Sequence, residues 1–336
     1  MKQTANYFHK FLLLWTGELV SAIGSGLTSF GLGVYVFQQT GLASSTALVT
    51  LLAFAPGLIL GVPAGVLADR YDRRLLMILG DGLSALGLLF ILLCLSKGEA
   101  ALWQICVGVT ISSVFSSLLD PAYKATVTDL LTPEQYTKAS GLVGVAGSAK
   151  YLISPVLAGL LLTISDIRLL LLLDTATFFL TVTATLVVRK GIQSKQAMET
   201  KSFTREFSEG WNAITQKKGV LVLVILSSAI TFFLGFIQTL FGPMILGFAD
   251  STVLGISETI CASGMLISSL VIGTVSLKKN RVVILSAALF AAGIFMAGFG
   301  MRENIVVICV FGFLFFSSLP FANAALDFLV RTNIAD

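Results

Sequence analysis

Five ionisable residues lie inside long apolar runs of this chain: Glu18, Asp81, Lys150, Asp174 and Glu258. Placing such a group in hydrocarbon costs at least about 2.5–3.5 kcal/mol, so each needs a partner or a function to justify it. An acid in a low-dielectric medium favours its neutral form, which is the physical requirement for carrying a proton through a membrane. Lys150 is the one cation of the five and suits an anionic group, whether a buried carboxylate or a substrate. It stands about twelve residues into its run, roughly 18 Å deep at 1.5 Å per residue, and Glu18 and Glu258 lie roughly 10 Å from the nearer end of theirs. Charge is also concentrated in the ten residues from Gly65 to Arg74, GVLADRYDRR. They separate an uncharged run, Ser44 to Ala68, from a second run, Leu75 to Ser96, that is broken only by Asp81.

The elements that must position these groups are membrane-spanning helices. Hydrophobic residues make up 56% of 336 and charged residues 12%, with a mean hydropathy of +0.92. A soluble domain carries about 25% charged residues. Backbone in lipid must pair internally, as helices or a closed barrel, and these runs lack the alternation of a barrel strand. The spacing predicts ten spans, at 11–38, 44–68, 74–96, 100–123, 138–163, 167–189, 219–247, 251–277, 282–300 and 304–326. With the N-terminus inside, all of the 22 Lys and Arg residues fall in cytoplasmic segments except Lys97, Lys150, Arg168 and Arg302. That asymmetry predicts two cytoplasmic termini. The net charge of +4 reflects it and gives no argument for nucleic-acid binding. The first span is too long for a signal-peptide core and is expected to stay in the mature protein.

The loop has a worn second copy. Gly273 to Arg281 aligns without a gap on Gly65 to Arg73, with Leu277 in place of Asp69. More weakly, the stretch around Asp120 in span four can be laid beside the one around Asn323 in span ten. The long polar stretch between spans six and seven then divides the chain into a six-helix bundle at 1–189, a linker at 190–218 and four helices at 219–336. The ten-residue loop resembles the signature between helices two and three of the major facilitator superfamily, G-x-L-A-D-R-x-G-R-R, with Asp72 standing where the family usually has glycine. The resemblance implies an all-α membrane fold of two pseudo-symmetric bundles, with twelve helices in a full-length member against six plus four here. By that count the chain looks like a member lacking its last two helices.

The resemblance also implies roles. Gly65, Asp69, Arg70, Arg73 and Arg74 would form a cytoplasmic gate. Glu18, Lys150 and Glu258 would border a central cavity for substrate and protons, while Asp81 and Asp174, in peripheral spans, would be structural. Gly57 and Gly61, spaced by four, are expected to let helices approach closely. Span five offers Gly141, Lys150, Ser154-Pro155, Ala158 and Gly159 against the drug/proton antiporter pattern G-x8-G-x3-G-P-x2-G-G, so Gly141 and Gly159 keep the helix thin and Pro155 kinks it. The whole most resembles the macrolide-efflux-like branch of drug exporters. The expected activity is proton-coupled efflux of amphipathic small molecules by alternating access, at the plasma membrane, with lipids, a small-molecule substrate and protons as partners. An importer of a small anionic solute, favoured by Lys150, and a truncated, transport-inactive membrane protein are the alternatives. No cofactor is expected: no phosphate-binding glycine loop follows a strand, and Cys94, Cys106, Cys261 and Cys309 lack metal-ligand spacing. Nothing points to an enzyme.

Overall fold

The computed structural model describes residues 2–189, 215, 218–274 and 280–335, and the regular structure among them is helical. Most of the connector at 190–218, and residues 275–279 of the second loop copy, lie outside the described residues. The chain divides into two compact units, Met1–Glu199 and Thr200–Asp336. In the first, α1 (Lys2–Thr40), α2 (Ala43–Arg70), α3 (Arg73–Ser96), α4 (Leu102–Ser116), α5 (Leu119–Leu130), α6 (Pro133–Leu152), α7 (Ser154–Ile164) and α8 (Ile167–Arg189) form six membrane-length spans. In the second, α9 (Lys218–Leu246), α10 (Ser251–Thr274), α11 (Arg281–Phe299) and α12 (Ile305–Ala335) form four.

Local chemistry places the ends. Gly41, at φ +66, turns the chain from α1 into α2, a left-handed conformation that glycine adopts without a Cβ clash. Asp72 caps α3, its Oδ1 accepting from the backbone N–H of Arg74 at 3.1 Å. Its own backbone is extended (φ −60, ψ 109), so no glycine is needed there and the aspartate adds a cap. Thr132 and Gln135 form a capping box around Pro133 at the start of α6. Span five breaks at Ile153, between α6 and α7, with Pro155 in the first turn after the break. Span four differs from the expectation. Its hydropathy fades near residue 123, yet the helix resumes as α5 and runs to Leu130. Lys124, read as a loop residue, is on that helix and pairs with Asp120 one turn back at 2.7 Å.

Within the first unit α1 is central, lying against α8, α6 and α7, while α3 lies against α4, α5 and α8. At the end that carries the signature loop, Phe11, Leu14, Ala68, Leu76, Met77, Ala122, Val127 and Val188 make one buried cluster with Tyr123. In the second unit, α10 and α11 both pack along α12.

The close approaches are made by glycines other than those the sequence suggested. A Cβ at Gly57, Gly61, Gly65 or Gly141 would meet nothing within 4 Å among the described residues, so the spacing by four does not mark a tight helix contact in this bundle. Glycines that do touch include Gly24 and Gly26 on α1, and Gly87 facing Gly108 between α3 and α4. Gly26 sits against Ser154, whose hydroxyl donates to the carbonyl of Ile23 at 2.9 Å. This contact holds the α6–α7 break against α1. Gly159 is buried on α7.

Candidate functional site

The signature loop separates into an outward and an inward half. Asp69 and Arg70 are exposed, Arg73 is half-buried, and Arg74 is 4% exposed. The Arg73 guanidinium spans three helices. Its Nε donates to the carbonyl of Ala68 at 3.0 Å, in the last turn of α2, and its Nη1 donates to the Ala125 carbonyl at 3.1 Å and to Asp129 Oδ2 at 2.6 Å, both on α5. Nη2 reaches Asp69 Oδ1 at 3.5 Å, a weaker i,i+4 contact. A planar fork with several donors can serve four acceptors at once, which a lysine cannot. Arg73 thus ties α2, α3 and α5 together inside the first unit. Asp129 was not singled out in the sequence; the signal for it was an acid in the last turn of a span facing a basic loop.

Deeper in the same unit, the five intramembrane charges sort into unlike groups. Asp174, on α8 and 2% exposed, accepts from the Ser25 hydroxyl at 3.3 Å. It packs into the gap left by Gly24, where a Cβ would stand 2.9 Å from its Oδ1 and 2.6 Å from Thr177 Oγ1. Lys150 stands on α6 of the same unit. It makes no ion pair among the described residues.

Glu18 and Asp81 are placed differently. Asp81, on α3, is 2% exposed, and its Oδ2 is buried without a hydrogen-bond partner. Glu18 is half-buried overall, but its Oε2 is closed off and also unpartnered. Tyr123, on α5 and 3% exposed, has a buried hydroxyl without a partner. A buried polar atom left unpaired costs about 1–3 kcal/mol, and more when charged. Such atoms on three helices of one unit, α1, α3 and α5, are a feature to be explained.

Comparison with known proteins then decides the family. The sequence pattern described as Major Facilitator Superfamily matches residues 14–335. The chain belongs to that superfamily. Among curated relatives, it is 29% identical over 92% of its length to macrolide efflux protein A of Streptococcus pyogenes, of which it covers 78%. It is 28% identical over 85% of its length to macrolide efflux protein A of Enterococcus faecalis, of which it covers 90%. Among solved structures, the nucleoside transporter NupG superposes with a TM-score of 0.70 at 13% identity, covering 94% of this chain and 80% of that one. A bacterial homologue of the human lysosomal transporter Spinster gives 0.68 at 12% identity, covering 98% of this chain and 79% of that one. At such identities the structures speak for the fold alone. The protein is a multi-pass membrane transporter of small molecules.

In this major facilitator protein, the residues expected to share a cavity are distributed over both units. Glu18 on α1 and Lys150 on α6 are in the first. Glu258 is in the second, on α10, one turn from Cys261. Asp81 and Asp174, expected to serve structure on peripheral spans, are each 2% exposed, and Asp174 accepts a hydrogen bond from Ser25. Helix rotation decides this, and hydropathy does not carry it.

Proposed function

We propose that this protein is a proton-coupled exporter of amphipathic small molecules of the macrolide type, working by alternating access in the plasma membrane with both termini in the cytoplasm. The observation that carries export is the kinship with macrolide efflux proteins of two organisms over most of the chain. The proton as coupling ion is supported by buried acids whose oxygens have no donor, Glu18 foremost. In this reading Glu18, Lys150 and Glu258 contribute to the substrate and proton path. The exposed Asp69 and Arg70 form the moving side of the cytoplasmic gate, which Arg73 and Arg74 seat on their own bundle. The test is accumulation of a labelled macrolide and a fluorescent cationic dye in cells expressing the chain. Export predicts lower accumulation than in empty cells, restored by a protonophore. Equal accumulation with and without the protein overturns export; lower accumulation that ignores the protonophore overturns the proton.

A further inference from the structure

The second unit repeats the build of the first at the end that carries the loop copy. The gapless alignment of the two loops lays Asp72, Arg73, Leu76 and Met77 on Asn280, Arg281, Ile284 and Leu285. The pairing of Asp120 with Asn323 lays Ala122, Tyr123 and Ala125 on Ala325, Leu326 and Phe328. The structure keeps these pairs equivalent. Asn280 caps α11, its side chain accepting from the backbone N–H of Val282 at 3.0 Å, as Asp72 caps α3 through Arg74. Ala325 is sealed at 0% exposure in a cluster with Leu285, Leu326 and Ile284, as Ala122 is sealed at 0% in one with Leu76, Met77 and Tyr123. Arg281 stands where Arg73 does, one turn before the packed residues, and its guanidinium lies over the ring of Phe328, 4.6 Å from the centroid. Phe328 holds the position of Ala125, whose carbonyl accepts from Arg73. The same arginine thus reaches the same point on the fourth span of each unit. In the first it meets carbonyls and a carboxylate, in the second the face of a ring.

The two contacts differ in strength. A guanidinium stacks on the negative face of an aromatic ring without directed hydrogen bonds, and exposure to water weakens the attraction. The Phe328 ring is 45% exposed. The charge-assisted bond from Arg73 to Asp129, at 2.6 Å, belongs to a stronger class. Helices closed by a soft contact part more readily than helices closed by a stiff one. We propose that Arg281 and Phe328 are positioning residues for transport: their contact closes the loop-bearing ends of α11 and α12, and it breaks and re-forms in each cycle while the Arg73 strut stays made. The second loop copy is then a working part, although its sequence has Leu277 in place of Asp69. The inference rests on the alternating-access reading above, and the experiment separates the two.

Wild-type protein in proteoliposomes is compared with Arg281→Gln, Phe328→Leu and the double variant for dye flux per molecule, dye affinity and thermal unfolding. A gating contact predicts that each single variant lowers flux at least about fivefold, a size typical of coupling between sites, at unchanged dye affinity. The double variant is expected to match the singles, because residues that share one contact are not additive. Phe328→Tyr keeps a ring face and should restore most of the flux lost in Phe328→Leu. It also guards against misfolding, as does a monodisperse elution profile for each variant. Phe328→Glu offers the guanidinium a carboxylate instead. It is expected to raise the unfolding midpoint and still lower flux, since an ion pair there holds the end shut. A higher midpoint with undiminished flux marks a purely structural contact and overturns the proposal. Asp327→Asn, at the neighbouring position of α12, should leave flux unchanged. A loss there equal to that of Phe328→Leu assigns the cation to a carboxylate and overturns the ring contact. Losses that add in the double variant, or wild-type flux in Arg281→Gln, overturn it too. If the wild type itself carries no dye, the transport reading falls and unfolding alone judges the contact: midpoint losses that fail to add support it, and additive ones dismiss it.

Discussion

At the scale of single residues, the shape of the first unit is fixed where a missing Cβ meets a charge. Gly24 lets α1 close on α8 so that Asp174 and Thr177 fill the space a side chain would occupy. Gly24→Ala therefore forces the helices apart at the point where Ser25 donates to Asp174, and we expect a loss of about 1–3 kcal/mol from overpacking. Gly57→Ala meets open space and is expected to stay within about 0.5 kcal/mol of wild type. Thermal unfolding of the two purified variants checks the pair; equal midpoints would show that the α1–α8 contact does not limit stability. Asp72 teaches a related lesson. It departs from the family's loop pattern, but its backbone is one that any residue adopts and its carboxylate caps α3, so the departure costs the fold nothing visible.

At the scale of elements, Arg73 is the strut between α2, α3 and α5, whereas Asp69 hangs on its outer side. Asp129→Asn removes a short charge-assisted contact and is expected to cost about 1–3 kcal/mol, because hydrogen bonds to charged groups exceed neutral ones. Asp69→Asn removes an exposed i,i+4 pair worth about 0.3–0.5 kcal/mol and should leave the melting profile unchanged while cutting efflux. Stability unaffected in Asp129→Asn would dismiss the strut, and efflux retained in Asp69→Asn would dismiss the gate. The spans themselves were legible in the sequence because each apolar run exceeds the bilayer, and the break at Pro155 followed from proline's missing N–H. The extension of span four to Leu130 was not legible: Asp120 and Lys124 lower the hydropathy there, yet as an i,i+4 pair they support the helix. Nor was the open space beside Gly57 and Gly61 among the described residues, since spacing states which residues share a face and not whether a neighbour stands opposite. The site was half legible for the same reason. Glu18 and Lys150 announce themselves by depth, but which of their oxygens and nitrogens end up buried without a partner depends on helix rotation.

At the scale of the molecule, the buried charges are unbalanced, and the imbalance bears on what Lys150 is for. Away from the span ends and among the described residues, the first unit holds Glu18, Asp81 and Asp174 against Lys150, and the second adds Glu258. If Lys150 serves substrate, removing it should impair transport irreparably. If it serves Asp174, the damage lies in the acid left behind and can be mended by neutralising that acid. We take the second, because Asp174 is buried in the same unit and has recruited only hydroxyl partners such as Ser25. We expect Lys150→Ala to destabilise the protein by about 1–3 kcal/mol, the cost of an unsatisfied buried group. That is less than the about 3–5 kcal/mol of a broken contact pair, since no ion-pair approach is made. Lys150→Ala combined with Asp174→Asn should recover most of this loss, and efflux should return with it. The double-variant cycle is read by thermal unfolding and by dye efflux in the same cells. Recovery of stability without recovery of efflux would return Lys150 to the substrate path, and recovery of neither would show that the two residues do not act together.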